Sequence, residues 1–379
     1  MKSKLMKVLI APDKFKGSLS ALAVAQAIEK GIKQHDASID CILHPLADGG
    51  DGSVAILSHF LEVQRIDISV DDPLGRSIPC YYYLSDKSAF IELAAASGLV
   101  LLKAAERNPL QTSTYGTGQI ILDAIQRGAT NIFLFLGGSA TNDAGMGIAQ
   151  ALGIQFLDKN GKALKPIGAN LNHIHTIDHT QLRFPLSAIE FNCLCDVQNP
   201  FYGENGASHI YAAQKGADEK AIVVLDRGLQ HFAQVIQAQF HIDIQTVAGS
   251  GAAGGIAGGL FGFLNAKIKS GIDTILAMSR FEEKLKTADV VISGEGKLDT
   301  QTLEGKVVSG VAALAKQYQK PLFLFVGQHE LSKEQQSVLG IQQVFSVMEQ
   351  AANVEDAMER ASAILTQLAT RKYQVAQKK

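Results

Sequence analysis

Five short apolar runs, each leading into a polar, glycine-bearing loop and then a helical pattern, constrain this chain more than any other feature. They centre near residues 8, 42, 291, 323 and 345, two at the start of the chain and three near its end. KVLIA (7–11) opens onto Pro12, Asp13, Lys14, Phe15, Lys16 and Gly17, with Ser18 a predicted N-cap for a helix to about Gln34. CILH (41–44) is stopped by Pro45 and opens onto ADGGDGS (47–53), with a helix predicted to about Leu61. VVI (290–292) runs into Gly294, Glu295, Gly296, Lys297 and Asp299, with helical spacing from Thr302. PLFLFV (321–326), 344–348 and a helix from about Val354 complete the series. Runs without polar alternation belong to strands buried on both faces, as in a parallel sheet flanked by helices. The expectation is one doubly wound α/β domain interrupted by an insertion.

The inserted stretch has another texture. From 66 to 93, ISV, IPCYYYL and AFIEL are broken by DDPLGR and SDK, which predicts antiparallel strands. A helix (117–126), a strand (131–136), an Asn-Gly hairpin signal within 156–163, a strand (189–197), a helix (221–239) and a strand (241–247) follow, and then the glycine-dense 249–259. The predicted boundaries are 1–66 with 287–379 for the interrupted domain, and 67–286 for a mixed α/β insertion. A chain of 379 residues has room for both, because single cores stop growing at about 250 to 300 residues.

A net charge of −2 supplies no basic field for nucleic acid or an anionic membrane, and points to small-molecule partners. No apolar run approaches the roughly 18 residues of a membrane-spanning helix, and the first one, of about five, is too short for a secretory core. A cytoplasmic protein is expected. The composition carries no signal for an oligomeric state. Four cysteines make no disulfide framework in a chain this long. Cys193 and Cys195 should share one strand face as buried, reduced thiols. His173, His175 and His179 lack companions at a metal-binding spacing and are expected in loops.

In open parallel sheets, ligands bind beyond the carboxyl ends of strands, where helix N-termini offer free N–H groups. Lys14, Asp48, Asp143, Asp196 and Glu295 each stand at such an end. Carboxylates repel bare phosphate but hold Mg²⁺, and lysines pair with phosphate oxygens, so the mixture suits a metal nucleotide. GSGAAG (249–254) matches GxGxxG, which keeps open a nicotinamide-dependent hydroxy-acid oxidoreductase. The expected acid about 20 residues on is missing from a strand end, because Asp273 falls within a helical pattern. A non-enzymatic anion-binding protein is the other alternative. No GxxxxGK[ST] is present, since Gly305 and Lys306 have Thr300 and Val307 where the motif needs glycine and a hydroxyl. There is no protein-kinase set and no GxSxG elbow.

Taken in order, APDKFKGSLS, PLADGGDGS, GGSATNDAGMG, CDVQNPFYGENGA, GSGAAGG and GEGKLDTQTLEGK resemble the bacterial glycerate kinases, a class that includes glycerate 2-kinases. The likeness runs from about Val8 to about Ala369. It implies ATP-dependent phosphorylation of D-glycerate, a second α/β domain inserted into a flavodoxin-like first, and in-line transfer in an interdomain cleft in the cytoplasm. Members form 2- or 3-phosphoglycerate, and the 2-phosphate is the expectation here. Within that reading, Lys14 serves catalysis, and Lys16, Gly17 and Ser18 bind phosphate. Gly294, Glu295, Gly296, Lys297 and Lys306 hold the nucleotide. Asp51, Glu295 and Asp299 are candidates for Mg²⁺, with Asp48 a further one. Asp196 is the expected base and Asp48 its rival. Ser139, Thr141, Asn142 and Gly251 are expected at the glycerate carboxylate.

Overall fold

Val8, Leu9, Ile10 and Ala11 are all fully buried, as a central parallel strand requires. The computed structural model describes residues 5–50, 52–299, 302 and 306–376. In it, the strand Lys7–Pro12 lies between Asp40–Leu43 on one side and Val290–Gly294 on the other, and Leu322–Val326 and Ile341–Ser346 extend the sheet outward. Every pairing is parallel. Numbered within this sheet, the order is 2-1-3-4-5, the flavodoxin-like arrangement, whose ligand site falls where strands 1 and 3 send their connections in opposite directions.

The helix Ala21–His35 begins at Ser20, whose Oγ accepts from the Ala23 amide at 3.2 Å. Ser18 was the predicted cap, but it sits in a tight turn, its amide and that of Leu19 both donating to the Phe15 carbonyl. Its hydroxyl donates to the Met358 carbonyl at 2.6 Å instead. The C-terminal helix Ala361–Ala376 packs on Ala21–His35, tied by the Thr366 hydroxyl to the Ala27 carbonyl at 3.0 Å.

The chain divides into two compact units, Met1–Asp48 with Ile272–Lys379, and Gly49–Gly271. Sequence reading drew the lines at 66/67 and 286/287. Two local contacts account for the difference. The Val54 amide donates to Glu92 Oε1 at 3.0 Å, which binds the short helix Ser53–Leu57 to the second unit. Phe281 stands edge-on to His44 at 5.3 Å, and His44 Nε2 meets the Ser279 hydroxyl at 2.9 Å, which fixes the helix Phe281–Thr287 to the first. The helix expected to reach Leu61 ends at Leu57.

The second unit has a six-stranded mixed sheet. Gln64–Asp71, Ser77–Ser85 and Ser88–Glu92 are antiparallel, as their alternation predicted. Ser88–Glu92, Asn131–Phe135, Glu190–Leu194 and Lys267–Lys269 then run parallel. The last of these is an edge strand of three residues, too short to show periodicity. Asn160 and Gly161 make the expected turn, closed by the Asp158 amide on the Lys162 carbonyl at 2.9 Å. Cys193 and Cys195 are buried free thiols. The strand expected over 241–247 does not form. His241 takes the left-handed cap of the helix Glu219–Phe240, with φ 60°, and turns replace the strand. GSGAAG therefore follows no strand, and the dinucleotide fingerprint loses its structural context.

Candidate active site

The first unit carries its charged loops at the topological switch point. The Asp13 amide donates to the Gly294 carbonyl at 2.8 Å, tying the ends of Lys7–Pro12 and Val290–Gly294 together. Position 294 must be glycine, because a Cβ there would lie 1.8 Å from the Phe325 carbonyl oxygen. A cavity of about 350 Å³ opens above this junction. Lys14, Lys16, Ser18, Asp48, Glu295, Gly296, Lys297 and Lys306 all line it, so eight of the residues proposed from sequence meet in one place. Asp13 lines it too and was not singled out. Its far end is apolar, formed by Val347, Met348, Val354, Ala357 and Met358. Val354 and Met358 are 59% and 42% exposed, an unusual state for large apolar side chains on a folded surface.

Three carboxylates crowd the polar end. Asp13 and Glu295 are 8% and 5% exposed. Burial, reinforced by the charges of Asp48 and Glu295 against the help of Lys14, pushes Asp13 up to about 7. Burial likewise pushes Glu295 up to about 7, against a 2.7 Å hydrogen bond from the Thr302 hydroxyl and the charge of Lys306. Hard oxygen donors whose charge is penalised by burial fit a divalent cation, which would offset that cost. Among the described residues no group of three or more His, Cys, Asp and Glu is arranged to hold a metal ion unaided. Asp299 is paired with Lys297 at 3.5 Å and Lys306 at 3.9 Å. Asp51 lies outside the described residues. Gly17 adopts φ 78° in the exposed turn beside Lys16.

The second unit assembles a closed cluster. The loop after Asn131–Phe135 folds on itself, with the Thr141 amide donating to Ser139 Oγ at 3.2 Å and the Thr112 hydroxyl to the Ala140 carbonyl at 2.9 Å. Asp143, one of the five strand-end charges, is an internal anchor. Its carboxylate accepts from Thr114 N and Oγ1 at 2.8 Å and from the amides of Gly145 and Gly147 at 3.2 Å. Against this loop lies the start of the helix Ala252–Leu264, where Ala253, Gly254 and Gly255 are all left-handed. Gly251 was expected to offer its N–H to a ligand. That N–H is committed to the Asn199 carbonyl at 3.0 Å, and a Cβ at this position would lie 2.2 Å from the Pro200 oxygen, so close packing explains the glycine. Asp196, past the strand Glu190–Leu194, is half-buried and accepts from the Ser270 hydroxyl and the Gly271 amide, each at 2.9 Å, through one oxygen.

The sequence model of the glycerate kinase family matches residues 8–377. The chain belongs to that family. It is 43% identical over 358 residues to the glycerate 2-kinase of Escherichia coli, covering 94% of each chain, and 41% identical over 364 residues to a glycerate kinase of Halalkalibacterium halodurans, covering 96% of each. A crystal structure from Salmonella typhimurium LT2 described under the name glycerate kinase 2 superposes with a TM-score of 0.85, at 39% identity and 99% coverage of both chains. Glycerate kinase chemistry needs a seat for nucleotide phosphates and recognition of a small carboxylate-bearing alcohol. Missed from sequence were Asp13, hidden between two lysines that drew attention, and the apolar rim, whose valines and methionines read as core.

Proposed function

We propose that the chain transfers the γ-phosphoryl group of Mg-ATP to the 2-hydroxyl of D-glycerate, giving ADP and 2-phosphoglycerate. The observation that carries this is the first unit's cavity, which joins lysines, buried carboxylates and an apolar wall at a flavodoxin-like switch point in a member of the glycerate kinase family. Lys14 and Lys16 pair with phosphate oxygens, the Ser18 turn lies alongside, and Val347, Met348, Val354 and Met358 take the base. Asp13, Asp48 and Glu295 are the candidates to supply the one or two carboxylates that would hold Mg²⁺, which would add charge neutralisation to the transferring group. Lys297 and Lys306 balance Asp299 and set the potential at the mouth of the cavity.

The second unit serves the acceptor. Ser139, Thr141 and Asn142 recognise the glycerate carboxylate. Asp196, oriented by Ser270 and Gly271, receives the proton of the attacking hydroxyl as its oxygen bonds to phosphorus and the bond to the ADP oxygen breaks. The 2-position follows the name of the E. coli relative. No described helix is long and apolar enough to cross a membrane, and we place the enzyme in the cytoplasm with its small-molecule substrates.

A coupled assay of ADP release from Mg-ATP tests the reading. ADP should form at a rate that depends on D-glycerate, and phosphorus NMR of the product should show the 2-phosphate. Glycerate-independent release, or none, contradicts kinase activity toward this acceptor. A 3-phosphate product overturns only the regiochemistry.

A further inference from the structure

Lys215 is the most deeply buried cation of the second unit, 2% exposed, in the short turn Ala213–Lys215. Its Nζ donates to Ser139 Oγ at 3.1 Å and to the Thr141 carbonyl at 2.6 Å, so it lies directly under the loop assigned to the acceptor. Neither partner carries a charge. The carboxylate whose charge it feels is Asp143, and four donors already saturate that group. No ion pair to Lys215 occurs among the described residues. A buried ammonium with only neutral partners is costly, and single-chain proteins normally pair such a charge or neutralise it. Burial pushes Lys215 down to about 7, with Asp143 pulling the other way.

Other features mark the same spot as unfinished. Asn142 Oδ1 is buried without a hydrogen-bond partner, a rare condition in folded proteins that calls for an explanation. Ser139 Oγ also lies 3.2 Å from the Ala253 carbonyl. Ala253 holds φ 55°, a left-handed conformation that is strained for a residue with a Cβ. Gly254 follows at φ 77°, where a Cβ would lie 2.2 Å from the Thr141 oxygen. Strain of this kind persists where surrounding structure imposes it, and it collects at ligand sites.

We propose that Lys215 is a specificity-determining residue that makes the Ser139–Thr141–Asn142 loop select an acceptor bearing a carboxylate, its ammonium being the counter-charge that the loop's neutral donors lack. This rests on the glycerate kinase reading and adds to it a residue that the motif-bearing stretches do not contain. In the sequence it stands in AAQKGAD (212–218).

The test compares D-glycerate with its uncharged analogues glyceramide and glycerol, in the wild-type chain and in Lys215→Met, which keeps the length of the side chain and removes its charge. In the wild type, D-glycerate should exceed both analogues in kcat/KM by about 100-fold or more. In Lys215→Met the KM for D-glycerate should rise at least about tenfold, the KM for ATP should stay within about twofold, and the preference for the charged acceptor should collapse by a similar factor. Wild-type indifference between glycerate and glyceramide overturns the proposal, whether or not the variant folds. So does a Lys215→Met enzyme that keeps the preference, because a structural role would lower activity without changing that ratio. D-glycerate binding is followed in parallel by thermal shift. Should the wild type bind glycerate and release no ADP, the kinase reading fails, while loss of that shift in Lys215→Met still supports Lys215 as the carboxylate's counter-charge and its retention refutes it.

Discussion

The two clusters solve opposite electrostatic problems. In the first unit, carboxylates outnumber what their surroundings can stabilise, lysines stand at the rim, and a cavity leaves the charges open to a ligand. In the second, one lysine is enclosed by neutral hydroxyls and carbonyls, on a backbone packed too tightly for side chains at several glycines. A site that sets buried carboxylates among four lysines suits a polyanion that arrives with its own divalent metal. A site with one buried positive charge and fixed donors suits a small monoanion. On the proposed assignment, the difference teaches that a nucleotide seat can be built from loop ends and an acceptor seat from the inside of a packed domain.

The sharpest way to break this comparison is Asp196→Asn. It should lower kcat by about 100-fold or more, the contribution typical of a general base, while Kd for Mg-ATP stays within twofold. Unchanged kcat would remove Asp196 as the base and promote Asp48. Next in size is Lys14→Ala, expected to weaken Mg-ATP binding by about tenfold or more, since hydrogen bonds to charged groups contribute roughly 1.5–3 kcal/mol. Calorimetric titration reads this directly. A smaller effect is expected from Met348→Ser or Met358→Ser, which should weaken adenosine nucleotides by a few-fold and leave inorganic triphosphate unaffected, because only the base meets the apolar wall. Equal losses for both ligands would move the base elsewhere.

The last expected effect is on pH dependence. Asp13 and Glu295 are raised in the folded chain from ordinary carboxylate values to about 7. Between about pH 4 and 7 the folded state therefore binds more protons than the unfolded state, so these groups make stability fall as pH rises through that window, by an amount on the order of a few kcal/mol. The Tm difference between Asp13→Asn and the wild type should accordingly grow in the variant's favour from pH 5 to pH 8. Added Mg²⁺ should raise the wild-type Tm more at pH 8 than at pH 6. A flat difference across pH would show that Asp13 ionises without penalty.

The parallel sheet was legible because Val8 to Ala11 and Val290 to Ile292 are unbroken apolar runs that nothing but a doubly covered strand accommodates. The first unit's site was legible for a related reason, that lysines and carboxylates beside glycine at strand ends have few structural duties there. Lys215 and Asp13 were not legible. Burial is what changes their chemistry, and burial depends on partners distant in the chain, Ser139 for one and Glu295 for the other. GSGAAG matched the dinucleotide fingerprint only formally, and its glycines serve close approaches to Val197, Pro200 and Thr141 that no local pattern reveals. The predicted strand over 241–247 was apolar enough to read as one, but the left-handed turn at His241 redirects the chain.

The central claim is that the two substrates are divided between the units. Titrating Mg-ATP and D-glycerate separately into the wild type, Lys14→Ala and Ser139→Ala tests it most directly. The account predicts that Lys14→Ala weakens ATP and leaves glycerate untouched, and that Ser139→Ala weakens glycerate and leaves ATP untouched. Weakening of glycerate by Lys14→Ala, or of ATP by Ser139→Ala, with both variants folded, would contradict it.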